Sequence, residues 1–219
     1  FDALRAGIDA GTRMLLLCNP HNPSGRVFTR PELESLAELA LAHDLVVVSD
    51  EIHCDLVYDG RRHVPFASLS PEIAARCVTL NSASKAFNIA GLRCAVAHFG
   101  SAALQRRFAD VVPRHLRGGL GILGLYASIA AWSQSQAWLD ALVPYLQANR
   151  DHLLRFVAER LPGVVCHVPE GTYLAWLDCS SLGLPGSPAA HFLRRGRVAV
   201  SDGRQFGTGF EQHVRVNFA

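Results

Sequence analysis

Lys85 stands in Ser82–Ala83–Ser84–Lys85–Ala86–Phe87, directly after the apolar run Cys77–Leu80. An ammonium at the buried end of a strand is costly unless it is paired or chemically used. Burial also lowers an amine's pKa and frees its lone pair, which makes Lys85 a candidate Schiff-base former. Asp50 closes a second apolar run, Leu45–Ser49, where a carboxylate must meet a cation or a donor. Asn22 lies in the turn-rich Asn19–Gly25 after a third run, Arg13–Cys18, and Arg215 lies in the alternating His213–Phe218. A planar guanidinium suits a carboxylate, which it can grip with two parallel hydrogen bonds. Taken singly, each residue has a plainer reading. Lys85 fits a surface lysine after a turn, Asp50 the N-cap of a helix from Glu51, and Asn22 an ordinary turn residue. Ser82 and Ser84 fit helix caps, and Arg215 a solvated strand face.

The elements around these residues decide whether they meet. A helix from Arg30 is signalled by Thr29 as N-cap, Glu32 completing a capping box, and Pro31 in the first turn. Its apolar face is Leu33, Leu36, Ala37, Ala40 and Leu41. Cys94–Phe99 is a further strand. Continuously apolar strands separated by helices predict a parallel sheet covered on both faces, with ligands at the carboxyl ends of its strands. Asn19–Gly25, Asp50–His53 and Ser82–Lys85 all follow strands and converge on that edge. A helical pattern runs from about Ser133 to Leu161, interrupted at Pro144. Short strands follow at Val164–His167, Tyr173–Leu177, Val198–Val200 and His213–Phe218, with a helix near Pro188–Arg195. That is an α+β layer, read as a second domain from residue 136 to 219 after a first domain of residues 1–135.

Composition excludes several classes. The 219 residues carry a formal charge of +2, so no basic field argues for nucleic acid or an anionic membrane surface. No run of eighteen apolar residues occurs, which argues against a membrane span. The six cysteines are scattered without a C-x-x-C pair, so buried free thiols and a reducing cytoplasm are expected, and no metal site. The opening Phe1–Gly11 and the closing His213–Ala219 lead to the expectation of a piece of a longer protein.

Lys85 and Asp50 together would accommodate an aromatic cofactor, with its ring nitrogen on Asp50 and its aldehyde on Lys85. Pyridoxal 5'-phosphate (PLP) has both needs. The motifs "NPHNPSG", "VVVSDEIHCDLVY", "SASKAFNIAGLR" and "EQHVRVNFA" resemble, in order and spacing, those of fold-type I PLP enzymes of the aminotransferase class I/II superfamily. "HNPSGRVFT", "DEIHCDLVYDGRRHVPFASLS" and "PEGTYLAWLD" resemble its cystathionine (cysteine-S-conjugate) β-lyase branch, the MalY/PatB type. The resemblance implies an α/β fold: part of the aspartate aminotransferase-like large domain with a parallel-rich sheet, plus most of a smaller α+β C-terminal domain. It implies that Lys85 binds the cofactor and moves the Cα proton, and that Asp50 holds the ring nitrogen protonated. Asn22 and His53 would lie at the phenolic oxygen, Ser82, Ser84 and Arg93 at the phosphate, and Arg215 at the substrate carboxylate. The implied activity is carbon–sulfur β-elimination from L-cystathionine or related conjugates, by a cytoplasmic homodimer acting on a small-molecule amino acid. An aminotransferase shares the early steps, and a non-catalytic regulatory module on this fold is a third reading. The Gly- and Leu-rich Arg114–Trp132 departs from the family's usual polar residues, and no roles are mapped there. The 219-residue chain by itself is expected to bind PLP weakly and to be inactive.

Overall fold

A computed structural model of the chain describes residues 1–219. It contains two units: Phe1–Asn19, Phe28–Asp55 and Arg62–Leu139 make one, and Pro20–Val27, Leu56–Arg61 and Asp140–Ala219 the other. No helix is long and apolar enough to cross a membrane.

The first unit is built on strands β1 (Met14–Cys18), β2 (Val46–Asp50), β3 (Cys77–Asn81) and β4 (Val96–Phe99), side by side in that order. β1, β2 and β3 are parallel, which requires crossovers of a dozen or more residues. Helix α1 (Asp2–Ala6) precedes β1; α2 (Arg30–Ala42) lies in the first crossover and α3 (Pro71–Arg76) in the second. Helices α4 (Ala102–Val111) and α5 (Ile122–Gln134) follow the sheet. β4 pairs with β3 antiparallel, so the sheet is parallel-rich, as expected, with one antiparallel edge strand. The connection, residues 82–95, holds the Lys85 turn and a short turn of helix at Ala90–Leu92 but no crossover helix.

The capping box of α2 forms as the sequence implies, with Glu32 accepting from the Thr29 backbone N–H at 2.8 Å. Leu33, Leu36, Ala37 and Ala40 from this helix pack with Leu17, Leu45, Val47, Phe66, Ile73 and Cys77 into one buried cluster. Side chains alternate along a strand, so the other sheet face carries Met14, Val46, Val48, Val78, Leu80, Ala97 and Phe99. These line a groove of about 530 Å³ together with Leu104 and Phe108 of α4. Both faces are apolar, which is why these strands read as unbroken apolar runs.

In the second unit all sheet pairings are antiparallel, in the order β5 (Val165–Cys166), β6 (Leu174–Asp178), β8 (His213–Asn217), β7 (Ser201–Asp202). Helix α6 (Gln136–Arg160) continues through Pro144 instead of breaking there; a proline removes one ladder bond without ending a helix that packing supports. Helix α7 (Pro188–Gly196) starts on Ser187, whose hydroxyl accepts from Ala190 N–H, and stops at Arg197 in the left-handed region (φ 56°). The strand expected at Val198–Val200 lies instead at Ser201–Asp202, where pairing with Arg215 and Val214 begins. All six cysteines are free thiols.

Arg150, 4% exposed, organises this unit. It holds Asp59 with two bonds of 2.7 and 2.9 Å, bonds the Pro169 carbonyl at 3.1 Å, and lies 5.1 Å above the Tyr58 ring. Hydrogen bonds from Arg150 hold the Asp59 carboxyl below its usual range. Such a group stabilises the fold above the ordinary carboxylate pKa of about 4, and the contribution is lost as pH falls through the lowered value. Asp59 is 44% exposed, so screening keeps the effect modest. Replacing Arg150 by Met in the intact protein is expected to cost about 2 kcal/mol at pH 7, measured by urea unfolding, and less at acid pH.

Candidate active site

The carboxyl ends of β1, β2 and β3 are level, because Cys18 pairs with Asp50 and Asp50 with Leu80. Parallel strands therefore bring Asn19, Asp50 and the Ser82–Lys85 turn to one edge. Asp50 is half-buried; its Oδ1 accepts from Ile52 N–H at 3.1 Å and its carbonyl from Asn19 N–H at 3.0 Å. Residues 51–55 form turns and no helix, so Asp50 is not a helix cap. His53 is buried, 3% exposed, just beyond it.

Glu51 turns the opposite way, onto the side of Ser49. It is 3% exposed, and its carboxylate meets Ser49 Oγ at 2.9 Å, Phe66 N–H at 3.0 Å and His63 Nε2 at 2.8 Å. A buried carboxylate is tolerable when donors surround it, and here those donors tie residues 63–66 to the end of β2. The sequence reading passed over Glu51 and His63, although both stand in the quoted motif. The available signal was alternation, which aims the residue two after inward-facing Ser49 to the same side.

At the end of β3, Asn81 Oδ1 accepts from Ser82 N–H at 2.7 Å, and Ser82 Oγ donates to the Cys94 carbonyl at 2.5 Å. Ser84 Oγ in turn hydrogen-bonds Ser82 Oγ. These bonds bring Ser82, Ser84 and the Cys94 carbonyl together, one residue beyond Arg93. Arg93 itself is exposed and left-handed at φ 51°. Lys85 is half-buried, and its turn is held from behind by Trp138, whose indole N–H donates to the Ala86 carbonyl at 3.0 Å.

One further signal was present in composition. Of 21 cationic side chains, 20 are arginine, so Lys85 is the only lysine in the chain. A charge alone could have been supplied by arginine as it is everywhere else; what only lysine offers is an amine that can lose its proton and react.

In the second unit, Asn22 and Arg215 meet directly, with Arg215 Nη1 donating to Asn22 Oδ1 at 2.9 Å. Nη2 donates to Ser201 Oγ at 3.0 Å, and the guanidinium carbon lies 5.0 Å from the centre of the Phe206 ring. The Asn22 loop is clamped at Gly25, whose carbonyl accepts from Glu170 and Gly171 N–H at 2.8 and 2.9 Å. Gly25 is left-handed (φ 72°), and a Cβ there would come within 2.6 Å of Pro169, so only glycine fits. Glu170 also accepts from Val27 N–H at 2.9 Å.

In the first unit, Cys54 Sγ accepts from Asn81 Nδ2 at 3.4 Å. Burial, then the Asp55 charge, pushes its thiol up to about 12, which leaves little thiolate. Mass-spectrometric mapping of iodoacetamide-treated intact protein at pH 8 is expected to find Cys54 alkylated far more slowly than free cysteine. Removing Glu51 leaves three donors facing nothing, so Glu51→Ala should lower unfolding free energy by about 3 kcal/mol. Glu51→Gln, which keeps an acceptor, should lose clearly less in the same calorimetric comparison.

Comparison with known proteins bears on this geometry. The family model for aminotransferase class I and II matches residues 1–219. The chain is 40% identical over 210 residues to cystathionine beta-lyase PatB of Bacillus subtilis, covering 95% of this chain and 54% of PatB. Among solved structures, OvoB matches with a TM-score of 0.93 at 45% identity, covering 100% of this chain and 56% of OvoB. Cystalysin of Treponema denticola, whose crystal structure contains pyridoxal 5'-phosphate, matches with a TM-score of 0.93 at 29% identity over 100% of this chain and 56% of cystalysin. The chain spans about half the length of the relatives it matches. With the whole of its length covered and its strand-end residues in the expected order, the chain belongs to the aminotransferase class I and II family.

Proposed function

We propose that the intact protein is a PLP-dependent carbon–sulfur β-lyase that cleaves L-cystathionine or a related cysteine S-conjugate to a thiol, pyruvate and ammonia. The observation that carries the reading is the lone lysine at the end of β3, on the same sheet edge as Asp50. The donor set fits PLP: an amine for the aldehyde, a carboxylate for the ring nitrogen, and hydroxyls with an arginine for the phosphate. When bound, PLP supplies an aldehyde that condenses with amines and a ring that accepts the electron pair released when Cα–H breaks.

The chain's own residues then have separable tasks. Asp50 keeps a proton on the ring nitrogen, and its bond from Ile52 N–H fixes one carboxylate oxygen while the other is left for that contact. Lys85 Nζ, once free, takes the Cα proton. Ser82, Ser84 and Arg93 hold the phosphate, and Asn22 and His53 attend the phenolic oxygen. Arg215 binds the substrate α-carboxylate. Departure of the β-thiolate and hydrolysis then give pyruvate and ammonia. PatB carries the name of this activity at 40% identity, which favours elimination over amino transfer. The proposal extends to a cytoplasmic homodimer, for which Ile122, Tyr126 and Ile129 of α5, each more than half exposed, supply apolar surface.

The test is product analysis with the intact protein, PLP and L-cystathionine. Pyruvate and a free thiol in equal amounts are expected, and Lys85→Arg should reduce their release by at least about 10³-fold while retaining the charge. Amino transfer to a 2-oxo acid without pyruvate would replace the lyase by an aminotransferase.

A further inference from the structure

We propose that Ser201 and Phe206 are positioning residues for Arg215, holding its guanidinium oriented, with neutral partners only, before a substrate arrives. The inference rests on the reading of Arg215 as the partner of the substrate α-carboxylate.

A long arginine side chain has substantial rotamer entropy to lose. If that loss falls on binding, affinity suffers; if the fold has already taken it, binding is tighter for the same contacts. Arg215 is central in its sheet, opposite Trp176 of β6 on one side and Ser201 of β7 on the other. Directly opposed residues of antiparallel strands project to the same face, so the three form a row. Within it, Phe206 sits under the guanidinium at 5.0 Å. That ring is itself fixed edge-on against Trp176, at 5.1 Å and 75°. Trp176 is held in turn by Phe210 at 5.6 Å and by His213, stacked at 5.2 Å. The ring sets the plane of the guanidinium, and the bonds to Asn22 and Ser201 set its rotation within that plane.

The chemistry of these partners matters as much as their positions. A guanidinium has five N–H donors, and two are engaged, so 5 − 2 = 3 remain for a carboxylate that needs two. All its partners are neutral: an amide oxygen, a hydroxyl and an aromatic face. The neighbouring carboxylate of Asp202 is already committed, to Arg204 at 2.7 Å and to Ser187 at 2.5 Å. Arg215 is thus anchored by dipoles and a ring quadrupole, which leave its charge uncompensated. An acidic anchor would have held it as firmly and competed with the ligand.

The experiment uses the intact holoenzyme and three readouts: KM and kcat for L-cystathionine, the dissociation constant of L-alanine followed by the absorbance of bound PLP, and the melting temperature. L-alanine has the α-carboxylate but no β leaving group. Ser201→Ala is expected to raise KM and the L-alanine constant about 3- to 10-fold, and Phe206→Leu about 2- to 5-fold. In both, kcat and the melting point should stay near those of the parent, and Ser201→Thr should restore binding. On an Arg215→Ala background, Ser201→Ala should have no further effect on either constant. If Arg215→Ala weakens L-alanine but Ser201→Ala does not, the positioning role is wrong and the carboxylate reading stands. If Ser201→Ala acts equally with and without Arg215, or acts only on melting, its role is structural and the proposal fails. If Arg215→Ala leaves both constants unchanged, the carboxylate reading and the proposal fail together.

Discussion

A lysine kept for its lone pair cannot be anchored by an ion pair, because a carboxylate partner would hold the proton on it. On the proposed reading of Lys85, the backbone and neutral neighbours must do the holding, and the bonds around its turn meet that constraint. The Lys85 turn is pinned by Ser82 on the Cys94 carbonyl, by Ser84 on Ser82, and by Trp138 on the Ala86 carbonyl. None of these bonds touches the amine. The carboxylates at the end of β2 have their own donors: Glu51 is buried among Ser49, His63 and Phe66, and Asp50 Oδ1 accepts from Ile52 N–H.

The same logic recurs at the other cation. Arg215 lies among an amide, a hydroxyl and a phenyl ring, while Arg150, a structural cation of the same unit, is saturated by Asp59 and Asp151. The contrast separates two uses of arginine. One is neutralised to hold a fold together, and the other, on the proposed reading, is left to meet a substrate carboxylate. Ion pairing thus marks which cations are spent on structure.

Much of this was legible in the sequence, for identifiable reasons. Apolar runs ending in Asn19, Asp50 and Ser82 signal strands whose polar ends share an edge, and Thr29 with Glu32 signals the start of α2. Both readings depend on neighbours in sequence, where the physics is local. What escaped was set by partners distant in sequence. The antiparallel edge strand β4 is set by its pairing with β3, the passage of α6 through Pro144 by packing along that helix, and the shift of β7 by its pairing with Arg215 on β8. Glu51 with His63, and Ser201 with Arg215, join residues whose pairing no periodicity announces. The solitary lysine was different: it needed only counting, and its meaning came from the twenty arginines around it.

The central claim is that Lys85 is the covalent anchor of the cofactor. The intact protein, incubated with PLP and reduced with borohydride, can be digested and its peptides mapped by mass spectrometry. A phosphopyridoxyl group on the peptide containing Lys85, absent when L-alanine at saturating concentration precedes the borohydride, is the predicted result. Full modification at another amine with Lys85 unmodified would contradict the account.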